Sequence, residues 1–252
     1  MMIKAVLSGC NGAMGKTITE AIGNFENIQV ICGFDKEKKE APYPIVTDFT
    51  DLTTEADVVI DFSHPSVLES ELKFCLDKKI PLVLASTGFS AQQIEMIEDA
   101  SKTIPIFYTA NMSLGVNLMD ALCRQAAKVL SPQFDIEIIE AHHNQKVDAP
   151  SGTALLLADG INEALEEPYN FEFDRHSKRK KREKKEIGIS SIRGGTIVGE
   201  HTVLFAGNNE CIEIKHTAFS KTVFANGAIN AAMWLVAQPA GLYDMKNFLK
   251  NL

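Results

Sequence analysis

No run of apolar residues in this chain is long enough to cross a bilayer. The N-terminal Met1-Met2-Ile3-Lys4 leads straight into a strand-like segment, with none of the layout of a secretory leader. Cysteine is scarce and shows no pairing pattern. The five residues Cys10, Cys32, Cys75, Cys123 and Cys211 are odd in number, widely spaced, and form no Cys-x-x-Cys. This argues against a disulfide framework and against a zinc site; reduced, mostly buried thiols in a cytoplasm are expected. Excess positive charge is missing too, and a net charge of −8 speaks against nucleic acid or an anionic membrane as partner. There is no internal repeat and no low-complexity linker. What remains is an ordinary globular composition, 45% hydrophobic and 23% charged over 252 residues, enough for one large domain or two modest ones.

The first half alternates strand and helix patterns. Ile3 to Ser8 reads as a buried strand, followed at once by Gly9-Cys10-Asn11-Gly12-Ala13-Met14-Gly15 and a helical pattern through Ile22. A strand, a glycine turn and a helix open a dinucleotide-binding unit: the glycines allow a tight turn and close approach of backbone to a pyrophosphate at the helix N-terminus. The spacing is G-x-x-G-x-x-G, and glycine turns join strands to helices in many folds, so the motif alone is weak. A second strand, Ile28 to Phe34, ends at Asp35, about where an acid receives ribose hydroxyls in such units. Lys36, Lys38 and Lys39 follow and could meet a 2′-phosphate, so NADH and NADPH both remain open as cofactors. Further strands are expected at Asp57 to Ser63, Pro81 to Ala85 and Ile104 to Tyr108, with helices between them. The loops Ala85-Ser86-Thr87 and Thr109-Ala110-Asn111-Met112 lie at carboxyl ends of strands, where open α/β sheets bind ligands. Small polar residues are also simply what turns are made of.

After Ser113 the pattern changes to a long helix, Leu114 to Leu130, and then to several neighbouring β segments: Phe134 to Ile139, Ile187 to Ser191, Gly199 to Ala206 and Glu210 to Lys215. The expected architecture is α/β, a Rossmann-like doubly wound parallel sheet plus an α+β second domain with an open mixed sheet. The basic run Lys178 to Lys185 lacks aromatic company and reads as a solvated loop. A helix from Val223 to Val236 and a short one from Met245 to Leu249 close the chain.

The densest chemistry is Glu140-Ala141-His142-His143-Asn144-Gln145-Lys146-Val147-Asp148-Ala149-Pro150-Ser151-Gly152-Thr153. It reads as a loop between a strand and a helix that Ser151 or Thr153 caps, leaving N–H groups to hold an anion beside a proton donor. A metal reading of the two histidines lacks zinc-type spacing. His201 and His216 fall in strands and read as structural, and Cys123 sits mid-helix in an apolar run, unlike a catalytic nucleophile.

With these residues on the page, the chain resembles the dihydrodipicolinate reductase (4-hydroxy-tetrahydrodipicolinate reductase) family over essentially its whole length. The likeness lies in Gly9-x-x-Gly12-x-Met14-Gly15, Ser86-Thr87-Gly88-Phe89, Asn111-x-Ser113-x-Gly115-Val116-Asn117, Ile197 to His201 and Phe224 to Ala228. The most specific part is Glu140-Ala141-His142-His143-x-x-Lys146-x-Asp148-Ala149-Pro150-Ser151-Gly152-Thr153-Ala154. The resemblance implies NAD(P)H-dependent reduction of a cyclic dicarboxylate in the diaminopimelate route to lysine. It implies His142 as proton donor and Lys146 as a second one, and His143, Ser151, Gly152 and Thr153 as substrate-binding. Gly9, Cys10, Asn11, Gly12, Ala13 and Met14 fall on its cofactor phosphate loop, and Asp35 with Lys36 on its adenosine ribose. Ala85, Ser86, Thr87, Thr109, Ala110, Asn111 and Met112 fall near its nicotinamide. It further implies a dinucleotide domain of residues 1–113 and 222–252, a substrate and tetramerisation domain of residues 114–221, hinges near Ser113 and Lys221, and a homotetramer. The basic run is a departure from the family pattern. A non-catalytic nucleotide sensor of the same fold is the alternative, and the intact His142, His143 and Lys146 count against it.

Overall fold

The computed structural model describes residues 2–53 and 55–250; positions 1 and 252, the outer ends expected for the dinucleotide domain, lie outside the described residues, as do 54 and 251. In chain order the elements are β1 (Ile3–Ser8), α1 (Ala13–Ala21), β2 (Ile28–Phe34), β3 (Ile45–Val46), β4 (Val58–Asp61), α2 (Leu68–Lys78), β5 (Leu82–Leu84), α3 (Ala91–Ser101) and β6 (Pro105–Tyr108). They continue with α4 (Leu114–Leu130), β7 (Asp135–His142), α5 (Gly152–Ala164), β8 (Asn170–Glu172), β9 (Glu186–Arg193), β10 (Gly199–Ala206) and β11 (Cys211–Ala218). The last elements are α6 (Thr222–Leu235), β12 (Gly241–Tyr243) and α7 (Met245–Leu249). The chain divides into two compact units, Met1–Leu114 with Lys221–Leu252, and Gly115–Ser220.

The first unit holds a sheet in the order β12-β6-β5-β4-β1-β2-β3, every pairing of which is parallel. Parallel strands joined by helical crossovers are covered on both faces, which is why β1 and β4 are apolar almost without alternation. Ala5, Leu7, Ile60 and Phe107 point to a core shared with α1, α6 and α7. Their neighbours Val6, Val59, Leu84 and Ile106 point the other way, into a core with α2 and α3. The edge strands β3 and β12 are two and three residues long, too short for any periodicity to announce them.

The second unit holds a mixed sheet in the order β11-β10-β7-β9-β8. β7 pairs antiparallel with β10 and parallel with β9. On one face Ile136, Ile138, Ile187, Ile189, Val203 and Phe205 pack under α4 and α5, which present Met119, Cys123 and Ala127, and Ala154, Leu157, Ala158 and Ile161. These helical residues recur at three- and four-residue intervals, the stripe an amphipathic helix buries. Ile139, Ile192 and Ile212, off that core, keep 37%, 51% and 41% of their surface exposed.

The basic run is more than a solvated loop. Its lysines are exposed, but Arg182 donates to Asp135, to Glu137 and to the carbonyls of Ile136 and Glu186. Arg175, just upstream, pairs with Glu137 and Glu186. Acids of β7 and β9 thus neutralise part of the run, and Arg182 pins it to the sheet. All five cysteines are free thiols, and only Cys211 is exposed. Burial, with Asp120 adding, pushes the Cys123 thiol up to about 12, so it is no nucleophile.

Candidate active site

Two concentrations of functional groups stand out, one in each unit. In the first unit the turn after β1 is shaped by steric necessity. Gly9 has φ of 77°, and a Cβ there would stand 2.5 Å from the Phe62 carbonyl oxygen. Gly15 presses on the same turn, with its missing Cβ 2.3 Å from the Gly9 oxygen. α1 starts after Gly12, whose position carries no capping side chain, so the helix N-terminus is left for another acceptor. The Asp35 carboxylate accepts from the Asn11 N–H at 2.8 Å and from the Lys36 N–H at 2.8 Å, so it braces the glycine turn. Beside them lies a cleft of about 340 Å³ lined by Gly9, Asn11, Gly12, Asp35, Lys36 and Lys39. A glycine turn without side chains, an uncapped helix start, an acid and two lysines around one cleft fit a dinucleotide's phosphate and ribose groups.

The other residues of that unit singled out by sequence divide by exposure. Cys10 is buried, and its Sγ lies 2.6 Å from where a Gly33 Cβ would be, so only its backbone can face a ligand. Ser86 and Met112 are also buried, while Ala85, Thr109 and Asn111 are half-buried and Ala13, Thr87 and Ala110 are exposed.

In the second unit the structure corrects the sequence reading. Glu140, Ala141 and His142 are not on a loop; they complete strand β7. The alternation that turns Ile136 and Ile138 inward continues through Glu140 and His142, both buried. Two polar side chains can follow two apolar ones on the inner face because cross-strand neighbours give the Glu140 carboxylate its partners. The parallel register sets Ser191 opposite Glu140 and Arg193 opposite His142, and the antiparallel register sets His201 opposite Glu140. Arg193 grips Glu140 with both terminal nitrogens, each at 2.8 Å. Burial opposes ionisation of Glu140, but hydrogen bonds from Arg193, Ser191 and His142, with the Arg193 charge, outweigh it and hold the carboxyl down at about 2.

Three more groups join this centre. His142 Nδ1 lies 2.6 Å from Glu140 Oε2, and the Ser151 N–H donates to Glu140 Oε1 at 3.2 Å. Ser151 rather than Thr153 caps α5, its hydroxyl accepting from the Ala154 N–H at 3.2 Å. The same hydroxyl lies 3.0 Å from His201 Nε2. His201, expected to be merely structural, therefore belongs to the site, with its ring 5.2 Å from that of His142 and edge-on to it. Burial, and then the neighbouring His142, lower its pKa to about 4, so it is neutral at pH 7. Gly152 is exposed, with nothing within 4 Å of where a Cβ would stand, so the backbone at the start of α5 is open to approach. Lys146 is half-buried and pairs with Asp148 at 2.8 Å, and His143 is half-buried on the turn between. Sequence alone offered no signal for Arg193, because a register between strands 50 residues apart is what brings it to Glu140.

Chemically, this centre sets an imidazole, a lysine and an open helix start close along the chain: a proton donor beside a place for a carboxylate. Among the described residues no three His, Cys, Asp or Glu side chains are grouped to hold a metal ion. No described helix is long and apolar enough to cross a membrane.

Known proteins match the chain along its whole length. The family model for the dihydrodipicolinate reductase N-terminus matches residues 3–112, and that for its C-terminus matches residues 115–249. A 4-hydroxy-tetrahydrodipicolinate reductase of Clostridium tetani is 48% identical over all of this chain and 98% of its own length. The enzyme of that name from Clostridium novyi is 49% identical over 99% of each. Among solved structures, the dipicolinate-bound dihydrodipicolinate reductase of Paenisporosarcina sp. TG-14 superposes with a TM-score of 0.83 at 25% identity, covering 97% of this chain and 98% of that one. The chain belongs to the dihydrodipicolinate reductase family.

Proposed function

We propose that this chain reduces 4-hydroxy-tetrahydrodipicolinate to tetrahydrodipicolinate at the expense of NADH or NADPH, with His142 and Lys146 as its proton-handling groups. The observation that carries the reading is the centre on β7: a buried imidazole beside an open helix N-terminus, on a chain of this family. The substrate is a small ring bearing two carboxylates, and dipicolinate, a ring of that kind, occupies the Paenisporosarcina relative. Backbone N–H groups at Gly152 and Thr153 can receive one carboxylate, and His143 and Lys146 lie on the segment that can receive the rest. The reduced nicotinamide supplies a hydride. Electron density left on the imine-conjugated ring is then quenched by a proton, which His142 Nε2 gives while the Lys146 ammonium stabilises the charge.

The glycine turn at Gly9 to Met14, with Asp35 and Lys36, is assigned to the dinucleotide, as are the Ala85 to Thr87 and Thr109 to Met112 loops. An acid and lysines at one cleft suit either cofactor, the lysines favouring a 2′-phosphate and Asp35 free ribose hydroxyls. Partly exposed Ile139, Ile192 and Ile212 suit burial in a homotetramer built on the second sheet. A purely nucleotide-sensing protein would have no use for a histidine, an arginine and a glutamate locked together in the second unit. The test is oxidation of NADH or NADPH that depends on freshly generated product of the synthase preceding this step. His142→Gln and Lys146→Ala are expected to lose 10²-fold or more in kcat, to order of magnitude, with little change in dinucleotide binding. Near-normal turnover in both purified variants overturns the assignment.

A further inference from the structure

Glu140 is a buried carboxylate with donors from His142, Ser151, Ser191 and Arg193 around it, yet it is not among the groups that can meet the substrate. Its two oxygens divide the work. Oε2 meets His142 Nδ1 at 2.6 Å and one Arg193 nitrogen at 2.8 Å. Oε1 takes the other Arg193 nitrogen at 2.8 Å and the Ser151 N–H at 3.2 Å. Arg193 reaches further, donating to the Asp148 carbonyl at 2.6 Å, so the segment carrying Lys146 is tied to the same centre. The end of β7, the Lys146 to Asp148 turn and the cap of α5 therefore converge on one ion pair. An ionised carboxylate can only accept, so the imidazole nitrogen facing it must be the donor. The other nitrogen, Nε2, faces Gly199, where a Cβ would stand 3.1 Å away; only a residue without a side chain leaves it uncovered.

We infer that Glu140, clamped by Arg193, is a positioning residue: it keeps a proton on His142 Nδ1, aims Nε2 past Gly199 as the nitrogen that exchanges protons, and fixes the imidazole to the helix start that binds carboxylate. The inference rests on the reductase reading above. The charged and titratable groups around this imidazole are Glu140 on its own strand, Arg193 of β9 on the far side of that carboxylate, and His201 on β10; Lys146, paired with Asp148, acts electrostatically on His201. Of these only Glu140 contacts its Nδ1. A fixed tautomer matters because a histidine with the wrong nitrogen protonated keeps its place but cannot perform its transfer.

The deciding variant is Glu140→Gln, which keeps the shape but has one acceptor oxygen in place of two: with that oxygen toward the Ser151 N–H, its amide –NH2 faces Nδ1 as a second donor. We expect kcat to fall on the order of 10²-fold with KM within about threefold, a split that a general loss of structure would not give. The double variant Glu140→Gln with His142→Gln should be no slower than His142→Gln alone, since the glutamate acts through the histidine. A readout that needs no substitution is nitrogen NMR of histidine-labelled protein, in which the proton of neutral His142 sits on Nδ1 and not on Nε2. A Glu140→Gln enzyme within about threefold of the parent in kcat, a double variant slower by the full product of the single losses, or a His142 whose neutral form carries its proton on Nε2, each overturns the inference. The outcomes also separate the two readings. Normal turnover in His142→Gln removes the proton-donor assignment and this inference with it, whereas an inactive His142→Gln beside an active Glu140→Gln removes the positioning role alone.

Discussion

Glu140 in the second unit and Glu71 in the first are 0% and 1% exposed, and their surroundings shift their pKa values in opposite directions. Glu71 lies on α2 with no cation paired to it among the described residues. Burial, and then the charge of Asp61, raise its carboxyl well above the usual range, and the Ser8 hydroxyl pulls only weakly the other way. Its Oε1 finds no hydrogen-bond partner among the described residues. Glu140 is as deeply buried, but Arg193 and the donors around it keep it ionised. Burial alone therefore does not decide the charge of a carboxylate; the partner does. The pair also separates two uses of a buried acid. Glu71 is an acid whose charged form burial disfavours, packed between α2 and the sheet, whereas Glu140 orders a histidine, an arginine and a helix start around itself.

The sharpest way to break this contrast is to replace both glutamates by leucine. Glu140→Leu leaves Arg193 and the Ser151 N–H without their acceptor, and removing one partner of a buried ion pair costs about 4 kcal/mol. Glu71→Leu removes an unsatisfied polar atom and should leave stability unchanged or raise it. Urea unfolding of the two variants checks this, and equal losses would erase the distinction.

The pH dependence of stability probes the same contrast through neighbouring groups. The folded pKa of His201 is about 4 against an ordinary 6.5, so the unfolded chain takes up a proton first as pH falls. Its contribution is complete above 6.5, declines through the window down to about 4, and totals about 3 kcal/mol. Glu71 has the opposite sign. Its raised pKa makes its contribution complete below 4.5 and lost as pH rises. Unfolding free energies measured across this range should therefore flatten on the acid side in His201→Gln and on the alkaline side in Glu71→Gln. A slope unchanged in His201→Gln would mean that this histidine takes up its proton as readily in the folded protein as in the unfolded chain.

Much of this was legible in the sequence, and what was not has a physical reason. The parallel sheet of the first unit announced itself because β1, β2, β4, β5 and β6 are apolar runs separated by helical crossovers. β3, β8 and β12 did not, being two or three residues long and held by their neighbours' hydrogen bonds rather than by their own side chains. Strand β7 was cut short at Ile139 because two charged residues look like a loop unless their neutralising partners are known. Those partners come from β9 and β10, whose register with β7 is a tertiary fact. For the same reason His142 and Lys146 were visible through the family motif, while Arg193 and the part played by His201 were not.

The smallest predicted effect sharpens what the Arg193 partnership consists of. Arg193→Lys keeps a positive charge opposite Glu140 but replaces a planar fork by a single nitrogen, which cannot serve both carboxylate oxygens with the same geometry. It also gives up the reach to the Asp148 carbonyl. If charge does most of the work of keeping Glu140 ionised, the variant should lose only the value of a hydrogen bond or so, about 1 kcal/mol in urea unfolding. A loss as large as that of Glu140→Leu would instead assign the pairing to the geometry of the fork. No loss at all would place it with exposed ion pairs such as Lys73–Asp77, whose partners keep 76% and 62% of their side-chain surface and whose attraction water largely screens. The intermediate outcome is expected because Arg193 is only 20% exposed and its partner not at all, so charge and geometry act in a space that water enters from one side.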